Sequence, residues 1–309
     1  MPTGLQADED YVDTLVEQCS GFIPQEITSL LDSERLIAKS ISFDGIMALT
    51  KRIQGEPDSY AVVLSNGLRR IVYEVARVSI NMMYNGGHPD FDGLFNRSAD
   101  NLVALFYYLL DADLPIMSSG RGGEVHHNVA FDAGVVALTA EKFYLLHEFG
   151  HVWLFESGDH DVLPLHEREY YCDTFASSLL INNSGHLFSA ELADDQRATE
   201  HFKKLTYYGI YLALAIYDAA GALGLQLSDS HPSGLKRQKF VRRNIRANYG
   251  NDYLLSVRKL ALAGENFLHE VHERIEHKKN QGDLEWGVFM QQADELIEYL
   301  KNLKKHKNT

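Results

Sequence analysis

Cysteine is almost missing from this chain of 309 residues, which has only Cys19 and Cys172 and no Cys-x-x-Cys spacing. That argues against a disulfide framework and suits a reducing compartment. Basic residues are short as well, 29 Lys and Arg against 43 Asp and Glu, and the formal net charge of −14 disfavours general binding to nucleic acid. No uninterrupted apolar run is long enough for a membrane span: the longest, from Gly209 to Leu227, is broken by Asp218, Gly221 and Gly224. The stretch from Met1 to Asp10 lacks the basic and apolar regions of a secretory signal, so a cytoplasmic location is expected. Internal repeats and low-complexity segments are also lacking. Two basic clusters run against the acidic balance, Lys236, Arg237, Lys239, Arg242, Arg243 and Arg246, and Lys301, Lys304, Lys305 and Lys307. They read as a solvated helix face and a lysine-rich tail, with a docking site for an acidic partner as the alternative.

What the chain does contain is Leu145-Leu146-His147-Glu148-Phe149-Gly150-His151, an HExxH string. On an α-helix, residues four apart differ by roughly 40° of rotation and about 6 Å of rise, so both imidazoles project toward one point. That point suits a zinc ion, and Glu148 can lie beside it as the base that takes a proton from water. Phe143, Leu145, Leu146, Phe149, Val152, Trp153, Leu154 and Phe155 make the segment apolar nearly all round, which predicts a buried helix. Three ionisable groups inside it need a partner, and a divalent cation serves all three.

A catalytic zinc takes a third protein ligand and keeps one position for water. Glu169 and Asp173 stand four apart on a second predicted helix that runs to Leu180. In the favoured arrangement Glu169 binds the metal while Asp173 accepts the spare imidazole N–H of a ligand histidine. Glu167 is the rival ligand, Cys172 is expected to point away from the Glu169 face, and a solvated, acidic first turn is the plain alternative.

HExxH followed by Glu169-x-x-x-Asp173 on a later helix resembles the gluzincin zinc peptidases. The wording Glu-x-x-x-Asp-x-Phe-Ala-x-x-Leu-Leu is similar to the prophage-type HExxH peptidases, Lit-like phage-exclusion peptidases among them. Ser230-His231-Pro232-Ser233-Gly234-Leu235-Lys236-Arg237 resembles the His-Pro-x-x-x-x-Arg string that several of these families carry. The resemblance implies that His231 helps hold the substrate carbonyl or the oxyanion, and that Arg237 anchors its loop. The same residues also read as an ordinary loop and helix start, with Ser230 as cap. A specific host-protein substrate, a role in phage defence or prophage regulation, and an activating or inhibiting protein partner are implied in the same way.

The fold is expected to be helix-dominated α+β of the zincin kind, with a small sheet from segments near residues 60 and 125 packed on the His147 helix. Helical segments at residues 1–57, a catalytic domain at 58–246 and a helical segment at 247–309 are the expected organisation. Short helices are expected over residues 8–40. Tyr60 to Leu64 reads as a strand closed by a Ser65-Asn66-Gly67 turn, and Leu68 to Tyr84 and Ser98 to Asp111 as helices. Glu124 to Phe131, with His126 and His127 pointing opposite ways, reads as a strand that could pair with extended substrate. His201 to Ala220 reads as a helix with Tyr207, Tyr208, Tyr211 and Tyr217 on one flank, one of which could donate to the oxyanion.

The expected function is a cytoplasmic zinc endopeptidase with His147, His151 and Glu169 as ligands and Glu148 as the base. The alternative is a regulatory or protein-binding module that the metal merely staples. A closed four-ligand site, with Cys172 or His231 as the fourth, would favour that alternative.

Overall fold

The computed structural model describes residues 9–41, 45–108, 127–184, 195–223 and 231–280. Two short helices, α1 (Glu9–Cys19) and α2 (Gln25–Asp32), lead into strands β1 (Leu36–Ile41), β2 (Ala48–Ile53) and β3 (Glu56–Ser65). Helices α3 (Asn66–Tyr84), α4 (Phe91–Tyr108), α5 (His127–Ser157), α6 (Leu165–Asn182), α7 (Gln196–Ala222), α8 (Gly234–Tyr249) and α9 (Asn251–Asn280) follow. The fold is thus α+β with helix dominant, as the sequence predicts.

The sheet differs from expectation in its members. Its order is β1-β3-β2, with β1 parallel and β2 antiparallel to β3. All three strands come from residues 36–65, and β1 lies where a helix is predicted. Gly55, at φ 91°, closes the tight β2–β3 connection in a conformation that favours glycine. The predicted strand at 124–131 is overturned from residue 127 onward, where α5 has already begun; Glu124, Val125 and His126 lie outside the described residues. The predicted turn at Ser65-Asn66-Gly67 is instead a helix start. The Ser65 hydroxyl oxygen accepts from Leu68 N at 3.1 Å and caps α3.

Helix α5 is the spine. It packs against α3, α6 and α7 on three sides and against β2 and β3 on a fourth. A helix enclosed on every side must be apolar all round, and Phe143, Leu145, Leu146, Phe149, Val152 and Leu154 are fully buried. Each such side chain contributes roughly 1.5–3 kcal/mol by leaving water. Two glycines set how closely the neighbours approach. A side-chain carbon on Gly150 would sit 3.0 Å from the Cys172 Cα and 3.1 Å from its sulfur, and one on Gly209 would meet Thr139. The first draws α6 against the histidine-bearing stretch of α5; the second does the same for α7. Among the described residues no helix is long and apolar enough to cross a membrane.

Candidate metal centre

His147 and His151 lie on one face of α5, and their ring centroids are 5.0 Å apart. Opposite them, the first two turns of α6 bring in Glu169. Its Oε2 lies 3.4 Å from His147 Nε2 and its Oε1 lies 3.4 Å from His151 Nε2. Glu169 is buried, whereas Glu167 is exposed in the first turn of α6, so of the two it is Glu169 that faces the imidazoles. His231, just ahead of α8, places Nε2 3.2 Å from Glu169 Oε1. The histidine side chains are 2% exposed at His147, 16% at His151 and 38% at His231, so the cluster is closed at one end and opens toward solvent at the other.

The closed end is an ion-paired wall. Asp173, one turn beyond Glu169, has Oδ1 3.1 Å from His147 Nδ1, the geometry expected of a carboxylate that fixes a ligand tautomer. Arg237, fully buried on α8, grips Asp173 with two bonds: Nη2 donates to Oδ1 at 2.6 Å and Nε to Oδ2 at 2.9 Å. The guanidinium also lies over the Tyr217 ring, 4.6 Å from its centroid, with Nη1 3.5 Å from Glu169 Oε2. Arg237 thus ties α8, which follows the His231 loop, to α6, and its pairing with Asp173 behind His147 is a contact that the sequence did not reveal. The cap of α8 also differs from expectation: Ser233, not Ser230, accepts from Lys236 N.

Electrostatics follow from this crowding. Burial and the Arg237 charge push His147 down, yet contacts with Asp173 and Glu169 outweigh them and leave its pKa raised to about 9. Burial raises Glu169, but the two imidazoles and Arg237 more than offset this and hold it well below the usual carboxylate range. Asp173 is likewise raised by burial and brought below its ordinary value by Arg237 and His147. Burial foremost, with Glu169, Glu148 and Asp173 adding to it, pushes the Cys172 thiol well above its usual range. His231 is lowered, chiefly by burial.

Two observations test whether a metal fits. The Glu169 Oε2 atom is buried and has no hydrogen-bond partner; its neighbours are ion-pair contacts, His147 Nε2 at 3.4 Å and Arg237 Nη1 at 3.5 Å. A buried carboxylate with one oxygen lacking a hydrogen-bond partner, set against two imidazoles, is a donor arrangement that fits a cation. With the imidazoles neutral, as metal ligands must be, the buried carboxylates of Glu148, Glu169 and Asp173 outweigh Arg237 by two negative charges, which a divalent cation balances. A second reading of the donors groups His147 and His151 with Cys172, whose ligand atoms all lie within 4.8 Å of one another. Glu169 is not in that set, its two oxygens each meeting a different imidazole at 3.4 Å, so Cys172 stands as an alternative third donor. Its expected turn away from Glu169 is not found: three residues on a helix amount to about 60° of separation, and residues three apart are neighbours.

Glu148 faces the sheet. The Thr50 hydroxyl on β2 donates to its Oε2 at 2.7 Å and stands 3.0 Å from its backbone carbonyl oxygen. Sequence reading missed Thr50, since nothing in Ala48–Ile53 marks a residue destined for a site 98 positions away. Of the four tyrosines considered on α7, Tyr217 is the one at the centre, 6.5 Å from the His147 ring. Tyr207 and Tyr211 are turned toward the buried Glu265 and toward Arg242, and Tyr208 packs at Gly264. On α8, Lys236, Lys239, Arg243 and Arg246 are exposed, while Arg242 pairs with Glu265 at 3.6 Å, so that basic cluster is split between surface and core. The lysine cluster at 301–307, together with Ser230, lies outside the described residues.

Comparison with known proteins adds one finding. The sequence model of the family Peptidase U49 matches residues 92–254, a little more than half of the chain and the part that carries every residue of the centre except Thr50. No curated protein and no solved structure matches.

Proposed function

The chain belongs to the Peptidase U49 family, and on that premise we propose that it is a zinc-dependent endopeptidase of the gluzincin type. The observation that carries this reading is the approach of His147 and His151 to the buried Glu169 carboxylate, one oxygen of which has no hydrogen-bond partner. Two imidazoles and one carboxylate form a donor set suited to zinc, with room for water in the fourth position. A zinc ion held there would polarise a peptide carbonyl and acidify water.

The residues divide the remaining work. Asp173, braced by Arg237, keeps His147 in the tautomer that offers Nε2 forward. Glu148 takes the proton from the attacking water at its Oε atoms and later delivers it to the departing amine. Thr50 holds that carboxylate from the side. Tyr217 and His231 flank the centre as donors toward the oxygen of the scissile carbonyl. The outer edge of β2 is unpaired among the described residues, so an extended substrate could add a strand there, beside Glu148. This role passes to β2 from the segment at 124–131.

A specific cytoplasmic protein as substrate, and a role in phage defence or prophage regulation, complete the proposal on the strength of the resemblance to Lit-like peptidases. N-terminal labelling of the proteome of cells making wild type or Glu148→Gln tests it. New termini found only with wild type identify the target, and identical sets of termini count against cleavage. Cys172 within ligand reach favours the second reading, a metal that merely staples the helices; metal bound in both proteins with no new termini in either would support it.

A further inference from the structure

One turn of α6 offers two donors of different chemistry to the same pair of imidazoles. Glu169 presents a hard carboxylate oxygen and Cys172, three residues on, a soft sulfur. The sulfur belongs to a set with His147 and His151 whose donor atoms all lie within 4.8 Å of one another. Close packing at Gly150 holds the Cys172 backbone against α5, which keeps the sulfur near the histidine-bearing stretch. The carboxylate oxygen beside it is buried and without a hydrogen-bond partner, an independent sign that a cation belongs among these atoms. If all four groups bound one ion, imidazole, imidazole, carboxylate and thiolate would fill a tetrahedral coordination sphere and leave no position for water.

We propose that Cys172 is a fourth protein donor to the metal, and that the centre has a closed resting state in which this sulfur occupies the position the reaction needs for water. The inference rests on the reading that His147, His151 and Glu169 hold a divalent metal. Closing is a ligand exchange with no change of oxidation state. The S–H bond breaks and its proton passes to solvent, the sulfur binds the metal, and one water leaves; opening reverses each step. Another anion among Glu148, Glu169 and Asp173 is electrostatically costly, which weakens closure and keeps it reversible. Latency in a peptidase then needs no separate inhibitory segment: the helix that supplies the third ligand also supplies the block.

Cobalt(II) provides the test, because a thiolate ligand gives an intense near-ultraviolet charge-transfer band that imidazole and carboxylate ligands do not. Purified full-length wild type loaded with cobalt should show that band beside the visible d–d bands of a low-coordinate ion. Cys172→Ser should keep the visible bands and the bound cobalt but lose the charge-transfer band, and it should cleave an identified target severalfold faster than wild type. Visible bands without a charge-transfer band in wild type overturn the inference and leave the metal reading standing. Failure of wild type to retain cobalt at all overturns both. The spectrum of wild type decides the matter without a variant, so a poorly folding substitution does not obscure it.

Discussion

The Thr50 hydroxyl donates a 2.7 Å hydrogen bond to Glu148 Oε2, joining the edge strand of the sheet to the acidic residue of the HExxH helix. The donor and acceptor come from segments 98 residues apart, so the bond exists only once the sheet has docked on α5. A proton acceptor gains from being held in one orientation, and a neutral hydroxyl can do this without adding charge to a buried cluster.

Thr50→Val keeps the shape and removes the donor. It should lower kcat on an identified substrate by roughly tenfold, a fraction of the 10²–10⁴ that general-base catalysis supplies, while KM changes little. Thr50→Ser should restore most of the rate. Steady-state kinetics of the pair test this, and an unchanged kcat for Thr50→Val would remove Thr50 from the account.

Arg237 and Asp173 form a two-pronged ion pair at the closed end of the centre, both side chains almost without exposure. Removing one partner of such a pair strands the other charge in the interior, at a cost of about 3–5 kcal/mol. Arg237→Met should therefore lower the unfolding free energy by that amount, moving the urea midpoint down, and weaken metal retention, because Asp173 loses its brace. Equilibrium unfolding and dialysis against a chelator measure the two effects. A variant as stable as wild type would show that the wall is not structural.

Glu141, buried on α5 beside the cleft between α3 and α5, has its pKa raised to about 7, chiefly by burial, with Tyr11, Arg69 and Lys142 pulling the other way. The folded chain thus binds this proton more tightly than the unfolded chain, whose carboxyl titrates near the usual 4.5. Below that value the group costs nothing; as pH rises toward about 7 it withdraws stability, up to on the order of 3 kcal/mol. Glu141→Gln should be more stable than wild type at about pH 8 and equal to it near pH 4. Urea midpoints across that interval check the sign, and a difference that does not vary with pH would contradict it.

Much of the centre was legible because it is helical and local. His147, Glu148 and His151 lie within one turn and a half, and Glu169 and Asp173 within one turn, so helical geometry places each set on a face before any tertiary contact forms. The all-round apolar character of residues 143–155 likewise announced the buried spine. The sheet was harder to read. Leu36–Ile41 has too few residues for its period to be distinguished from that of a short helix, and Ala48–Ile53 carries Lys51 and Arg52, charges that protect an edge strand but obscure its alternation. His127 and its neighbours mix polar and apolar groups because they start a long helix, and the short window looked like a strand. Thr50, the choice of Tyr217 among the four tyrosines of α7 and the pairing of Arg237 with Asp173 depend on contacts across the fold, to which no local pattern points. Cys172 could have been recognised, since residues three apart on a helix share a side.

The most direct measurement is metal content by elemental mass spectrometry on the purified full-length chain, in wild type, Glu148→Gln and His147→Ala. The account predicts one zinc ion per chain in wild type and in Glu148→Gln, loss of zinc in His147→Ala, and proteolysis by wild type alone. Wild type that retains no divalent metal after exposure to excess zinc, or undiminished cleavage by Glu148→Gln, would contradict it.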